Sequence, residues 1–223
     1  METIVTSGSI KDKFANTITG LPDGFKYLNE ICPDIMQDIK YATEDNFTGV
    51  VVPGYHRPVA ILTEVVCLAL KQIQEELAKN RLSLLIWDAY RPVQAVDYFL
   101  QWEDIPDVAH IKARFYPEYE KHHLFELGFI APGHSAHSRG STVDLTIFSL
   151  DTNQALDMGT EFDFFGKKSY ASCNSIDKHA IENRHLLRNL MIKYGFRGIT
   201  QEWWHFTFAN EPFKDQYFNF PVS

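Results

Sequence analysis

Little in this chain points to a membrane. No stretch comes near the ~18 consecutive apolar residues that suggest a spanning helix. The opening residues, METIVTSGSIKDKFANTITG, have neither a basic leader nor an apolar core, so no secretory signal is expected. Cysteine is scarce. Cys32, Cys67 and Cys173 are odd in number and far apart, which argues against a disulfide framework and suits reduced thiols, Cys67 being a core residue. Positive charge is short as well: 21 Lys and Arg against 29 Asp and Glu leave a net charge of −8. That balance works against long-range attraction to nucleic acid or an anionic membrane surface, while saying little about a small substrate. Together these shortages favour a cytoplasmic place and make the sequon Asn46-Phe47-Thr48 a coincidence.

Several chemical signatures are missing too. There is no HExxH pair for a helical zinc protease, no G-x-S-x-G elbow for a serine hydrolase and no glycine loop to cradle phosphate. No repeat or low-complexity tract interrupts the chain. Residues 1–20 are polar and weakly periodic and read as a loose extension, with residues 21–223 as one domain.

Hydrophobic residues make up 45%, enough for a sizeable core. The clearest helix is expected over 59–79, after Pro58, where Leu62, Val65, Val66, Ala69, Ile73 and Leu77 form one apolar face. SLLIW at 83–87 suits a buried strand, and DAYRP follows as a turn because Pro92 biases Arg91 away from helix. A second helix is expected over 93–102. TVDLTIFSL reads as a strand and DTN as a turn. A last helix is expected near 177–194, with Ile181, Leu187, Leu190, Met191 and Tyr194 inward and Gly195 as its stop. EWWHFTF, 202–208, reads as an aromatic-rich strand. Strands and helices interleave without a regular βαβ rhythm. The fold class expected is therefore α+β, a central, mostly antiparallel sheet flanked by helices.

Nine histidines are present, most of them structural or solvated on ordinary expectation. Glu-x-x-His occurs at Glu120–His123, Glu182–His185 and Glu202–His205, so the spacing alone is a weak signal. On a strand, residues three apart point to opposite faces. Glu202 shares a site with His205 only if the backbone between them is irregular. His137 and Asp144, seven apart in SAHSRGSTVD, need a loop that folds back at Gly140. Two histidines and an aspartate with an open fourth position make a catalytic zinc set. From spacing alone, the blander reading stands ahead: Asp144 caps or pairs with Arg139, and His137 is a polar loop residue. Arg91 likewise reads either as a surface arginine paired with Asp88 or as a fixed charge beside an oxyanion.

SAHSRGSTVD resembles the S-x-H-x-x-G-x-A-x-D motif of zinc D-Ala-D-Ala peptidases, and EWWH resembles their E-x-x-H motif. KYATEDNFTG, WDAYRP, SRGSTVDLT, MGTEFDFF, EWWHF and YFNFPV, in that order over about residues 25–222, are similar to the VanX-like D-alanyl-D-alanine dipeptidases. The resemblance implies a D-Ala-D-Ala peptidase/hedgehog-like fold and one Zn²⁺ per chain held by His137, Asp144 and His205. It implies Glu202 as general base then acid, and Arg91 facing the oxyanion. Tyr41, Tyr55, Asp88, Asp163 and Ser135 would bind the dipeptide, Asp163 meeting its ammonium. The implied reaction yields two D-alanines and serves glycopeptide resistance or recovery of wall fragments. Thr142 stands where the motif has alanine, and Ala136 lacks a hydroxyl that some members carry. Two other readings stay open, a D,D-carboxypeptidase on longer wall peptides and a silent metal- or fragment-binding protein. The sequence also leaves open whether the chain forms a homo-oligomer.

Overall fold

The structure, a computed structural model, describes residues 20–223; the N-terminal extension expected over residues 1–20 lies, apart from Gly20, outside them. The elements run β1 (Phe25–Tyr27), α1 (Leu28–Ile31), β2 (Met36–Gln37), β3 (Ile61–Thr63), α2 (Glu64–Ala78), β4 (Leu82–Asp88), α3 (Val93–Trp102), α4 (Ala109–Phe115) and α5 (Lys121–Glu126). A short 3₁₀ turn, Ala136–Arg139, leads into β5 (Thr142–Ser149). Then come β6 (Gln154–Ala155), α6 (Lys178–Lys193), β7 (Phe196–Gly198) and β8 (His205–Phe208).

Among the described residues the main sheet has the order β2-β4-β5-β8-β7, with β6 on part of β5. Only the β2–β4 pairing is parallel. The architecture is thus the α+β one expected, a mostly antiparallel sheet with helices around it. β5 lies at its centre and is buried along its whole length, which suits its run of Val143, Leu145, Ile147 and Phe148. No helix among the described residues is long and apolar enough to cross a membrane.

The long helix begins later than its periodicity suggests. Residues 61–63 pair with β1, Phe25 opposite Thr63, so the chain is extended up to Thr63 and α2 starts at Glu64. Leu62 is buried in that strand, and Val65 faces outward at 38% exposed, while Val66, Leu70, Ile73 and Leu77 form the inner stripe. A short-range periodicity cannot reveal a strand partner as far along the chain as Phe25 is from Thr63. In α6 the inner face is Ala180, Arg184, Leu187, Leu190 and Met191, with Ile181 and Tyr194 only half-buried. The third departure is at the C-terminal strand. β8 starts at His205, and residues 203–204 form a turn, so Glu202 does sit in irregular backbone.

Register places the chemistry. Asp144 on β5 lies opposite Asp88 on one side and His205 on the other, so three neighbouring strands bring these side chains to one row of the sheet. A regular β4–β5 ladder would put Trp87 opposite Asp144, since Ile86 faces Leu145. An irregularity between Ile86 and Asp88 inserts one residue and turns Asp88 to the Asp144 side. Two positions before Asp144, Thr142 pairs with Thr207, and their hydroxyls lie 2.8 Å apart. The departure from the alanine motif therefore adds a cross-strand hydrogen bond that fixes the β5–β8 register.

Candidate active site

His137 reaches the sheet from the 3₁₀ turn. Its backbone N–H is capped by the Ser135 hydroxyl at 3.3 Å. Gly140 closes the turn in left-handed backbone, φ 76°, where a side chain would be strained. A Cβ there would also fall 2.1 Å from a ring carbon of Phe25, so the position is doubly confined to glycine. The chain turns back at this point and enters β5, carrying Asp144 beneath His137.

The imidazole of His137 has Nδ1 2.7 Å from the Ala89 carbonyl, which makes Nδ1–H the donor and leaves Nε2 bare. That Nε2 lies 3.2 Å from His205 Nδ1 and 3.3 Å from Asp144 Oδ2. Asp144 Oδ1 lies 3.1 Å from His205 Nδ1 yet makes no hydrogen bond among the described residues. A buried carboxylate oxygen without a partner is costly. Donors ~2.0–2.2 Å from a tetrahedral centre stand ~3.3–3.6 Å from one another, close to the separations found. Among the described residues this is the group of three or more that could hold a metal ion, each offering a ligand atom within 4.8 Å of the others. The donor set, the back-side hydrogen bond on His137 and the unpartnered oxygen all suit a divalent cation.

Around this trio the remaining charges are closely packed. Burial raises the Asp144 carboxyl, but His137 and His205 outweigh it and hold it well below the usual carboxylate range. Burial pulls His205 below its ordinary value, with Asp144 opposing. Glu202, whose Oε2 is 3.6 Å from His205 Nδ1, is pushed well above the carboxylate range by burial and then by the charges of Asp144 and Asp163. Asp163 is raised likewise, first by burial and then by Asp144, while the Tyr41 hydroxyl donates to its Oδ2 at 2.8 Å. Arg91 donates from Nε to Asp88 Oδ2 at 2.9 Å and brings Nη2 to 3.5 Å from Asp144 Oδ2. Its guanidinium lies over the Tyr41 and Phe99 rings at 5.0 and 5.2 Å. It is a largely buried cation aimed at the cluster.

A cavity of about 180 Å³ opens over these groups. Tyr41, Arg91, Ser135, His137, Asp144, Asp163, Glu202 and His205 all line it. Tyr55 and Asp88 do not. They stand one layer behind, where the Tyr55 hydroxyl donates to Asp88 Oδ1 at 2.6 Å and Asp88 Oδ2 holds Arg91. Asp88, fully buried, also has Oδ2 3.4 Å from His137 Nδ1. The geometry gives this pair a supporting place rather than the pocket-lining one inferred from resemblance. Sequence reasoning missed the apolar wall, formed by Phe99, Phe129, Ile130, Phe165 and Ile199. Phe165 lay within MGTEFDFF and was available as a signal; Phe129 and Ile130 carry no local mark of their role.

The blander reading of Asp144 and His137 fails on contacts, while those of the other two Glu-x-x-His pairs and of the sequon hold. Arg139 makes a two-pronged pair with Glu211 at 2.7 and 2.9 Å, leaving Asp144 to Arg91 and the histidines. Glu120 and His123 form the capping box of α5. Glu182 faces Lys178 and His179 on the surface of α6. Asn46 is 1% exposed, and its side-chain amide donates to the carbonyls of Thr43 and Val50, so no glycan could be attached in this fold.

Comparison with known proteins gives a consistent picture. The profile of the peptidase family M15, described as D-Ala-D-Ala dipeptidase, matches residues 22–223. A D-alanyl-D-alanine dipeptidase of Enterococcus faecalis is 42% identical over 91% of this chain and all of its own length. One of Enterococcus faecium is 39% identical over 90% of this chain and 98% of its own. One of Streptomyces coelicolor is 40% identical over 89% of this chain and 98% of its own.

Proposed function

Since this chain belongs to the D-Ala-D-Ala dipeptidase family of peptidases, we propose that it hydrolyses free D-Ala-D-Ala to two D-alanines, with zinc as its cofactor. The observation that carries the cofactor and its ligands is the convergence of His137, Asp144 and His205 with an unpartnered Asp144 oxygen. Such a cation supplies Lewis acidity toward the peptide carbonyl and acidifies a solvent molecule.

The protein's own groups account for the rest. Glu202 takes a proton from the attacking water and returns it to the leaving amine. Arg91, oriented by Asp88, faces the developing oxyanion, and losing one such donor typically costs ~3–4 kcal/mol of transition-state stabilisation. Asp163, held by Tyr41, receives the substrate ammonium, whose arrival stabilises its charged form. Ser135 lies on the cavity wall and is offered to the substrate from there. Tyr55 and Asp88 bind substrate only through Arg91.

A cavity of about 180 Å³ supports a dipeptide over a longer wall peptide, small sites being well below the ~300–1,000 Å³ of drug-sized pockets. We read residues 21–223 as one catalytic domain, supported by a core that runs from Phe25 to Val222. A cytoplasmic place is supported by three free cysteines. The activity fits cell-wall precursor metabolism or glycopeptide resistance. The test is Glu202→Ala, assayed on D-Ala-D-Ala with zinc content measured in parallel. Zinc should stay and kcat should fall by ~10²–10⁴-fold. Normal turnover by that variant would remove Glu202 from the mechanism. Rejection of an N-acylated dipeptide separates the dipeptidase from a carboxypeptidase, and loss of activity with chelator tests the metal requirement that both share.

A further inference from the structure

Arg184, on α6, is 4% exposed, and among the described residues no carboxylate is one of its hydrogen-bond partners. Its guanidinium spends its donors on backbone carbonyls. Nε donates to Met158 at 2.6 Å, Nη2 to Lys168 at 2.9 Å and Nη1 to Tyr170 at 3.1 Å. All three acceptors belong to the stretch between β6 and α6, where the only regular piece is a 3₁₀ turn at Lys167–Ser169. Asp163 lies within that bracket, with left-handed backbone at φ 56°. A non-glycine residue holds such a conformation only when its surroundings impose it. The guanidinium also covers the Trp203 ring at 5.4 Å. Trp203 in turn ties back to the same stretch, its backbone N–H donating to Ser169 O at 3.1 Å and Nε1–H to Thr160 Oγ1 at 2.8 Å.

Burial pulls the Arg184 guanidinium down to about 10, so it stays charged at neutral pH. Packing alone would be served by leucine or methionine at lower desolvation cost. What arginine adds is a rigid fork that holds several acceptors at fixed spacing. We infer that Arg184 is a positioning residue that clamps the 158–170 stretch and thereby fixes Asp163 at the ammonium end of the substrate cavity. This rests on the reading of Asp163 as the ammonium partner. The cation ligands lie on other elements, the 3₁₀ turn before β5, β5 itself and β8, and Arg184 bonds none of them; its one contact near them is Trp203, beside Glu202, so kcat and zinc affinity are read separately from KM.

The test compares Arg184→Met, Arg184→Lys, Asp163→Asn and the double variants, all zinc-loaded, on D-Ala-D-Ala. KM should rise about tenfold or more in Arg184→Met and less in Arg184→Lys, with kcat changed by no more than about threefold. Zinc affinity, read by competition with a chromophoric chelator, should stay within about twofold. Asp163→Asn should raise KM by itself, and adding either Arg184 change should then raise it less than about twofold further, because the two act through one contact. If Arg184→Met does not accumulate as folded protein, Arg184→Lys carries the same comparison. Unchanged KM in the Arg184 variants overturns the inference and leaves the ammonium reading standing. So does a KM effect fully additive with Asp163→Asn. An Asp163→Asn enzyme with normal KM overturns both.

Discussion

Asp163 is 3% exposed and carries a carboxyl whose proton affinity is raised by burial and by the nearby Asp144. A folded-state pKa above the ordinary value of 3.8 means that the folded chain binds the extra proton. Its stabilising share is therefore fully present below the unfolded pKa and is lost as pH rises toward the folded value. At neutral pH this residue burdens the fold in the absence of substrate. In chelated protein, Asp163→Asn should melt above the parent, and the gap should widen from pH 5 to pH 8. Thermal melts of both proteins across that range check it; a gap that does not change with pH would mean that Asp163 bears no such burden. The same substitution should weaken dipeptide binding, a trade of function for stability expected where like charges are packed together.

Among the elements, the turn from His137 to β5 concentrates the most constraint. Gly140 combines left-handed backbone with a Phe25 ring carbon 2.1 Å from where a Cβ would sit. Gly140→Ala should cost about 2–5 kcal/mol, the sum of ~1–2 for the backbone conformation and ~1–3 for overpacking. Urea denaturation measures it, and a loss under ~1 kcal/mol would show that Phe25 yields freely. The elements differ in how openly the sequence announced them. α3 runs over the residues its pattern indicated, because Pro92 starts it and its apolar face is local. The start of α2 was hidden because β1, a distant segment, claims residues 61–63. The extra residue in β4 that turns Asp88 toward Asp144 left no mark in SLLIWD, since either register buries apolar side chains.

Viewed whole, the molecule gathers Asp88, Asp144, Asp163 and Glu202 around the largely buried guanidinium of Arg91. Asp88, Asp163 and Glu202 are all raised in proton affinity, with burial the largest cause. These three groups favour the metal-free fold less as pH climbs from the carboxylate range, with the lowered His205 working the other way, and a divalent cation relieves the crowding. Zinc at about a hundredfold excess over its Kd should add ~2.7 kcal/mol. For a chain of this size that is ~5–10 °C in Tm. The difference between zinc-loaded and chelated protein should be larger at pH 8 than at pH 5. Melting curves that ignore zinc at both pH values would contradict the cation site.

By itself the sequence determined the composition of the candidate site and the class of fold. Motif residues and apolar periods are local properties, and they survive in a linear reading: the spacing alone favoured a blander role, but the family motifs in SAHSRGSTVD and EWWH named His137, Asp144, Glu202 and His205, and an apolar run marked the strand β5. Which residues touch was decided only in three dimensions. Tyr55 and Asp88 went behind Arg91, Arg139 went to Glu211, and Phe129 and Ile130 closed the cavity. Those outcomes depend on strand register, on one inserted residue in β4 and on loops packed from distant parts of the chain, where the energy belongs to pairs of residues that the sequence does not place side by side.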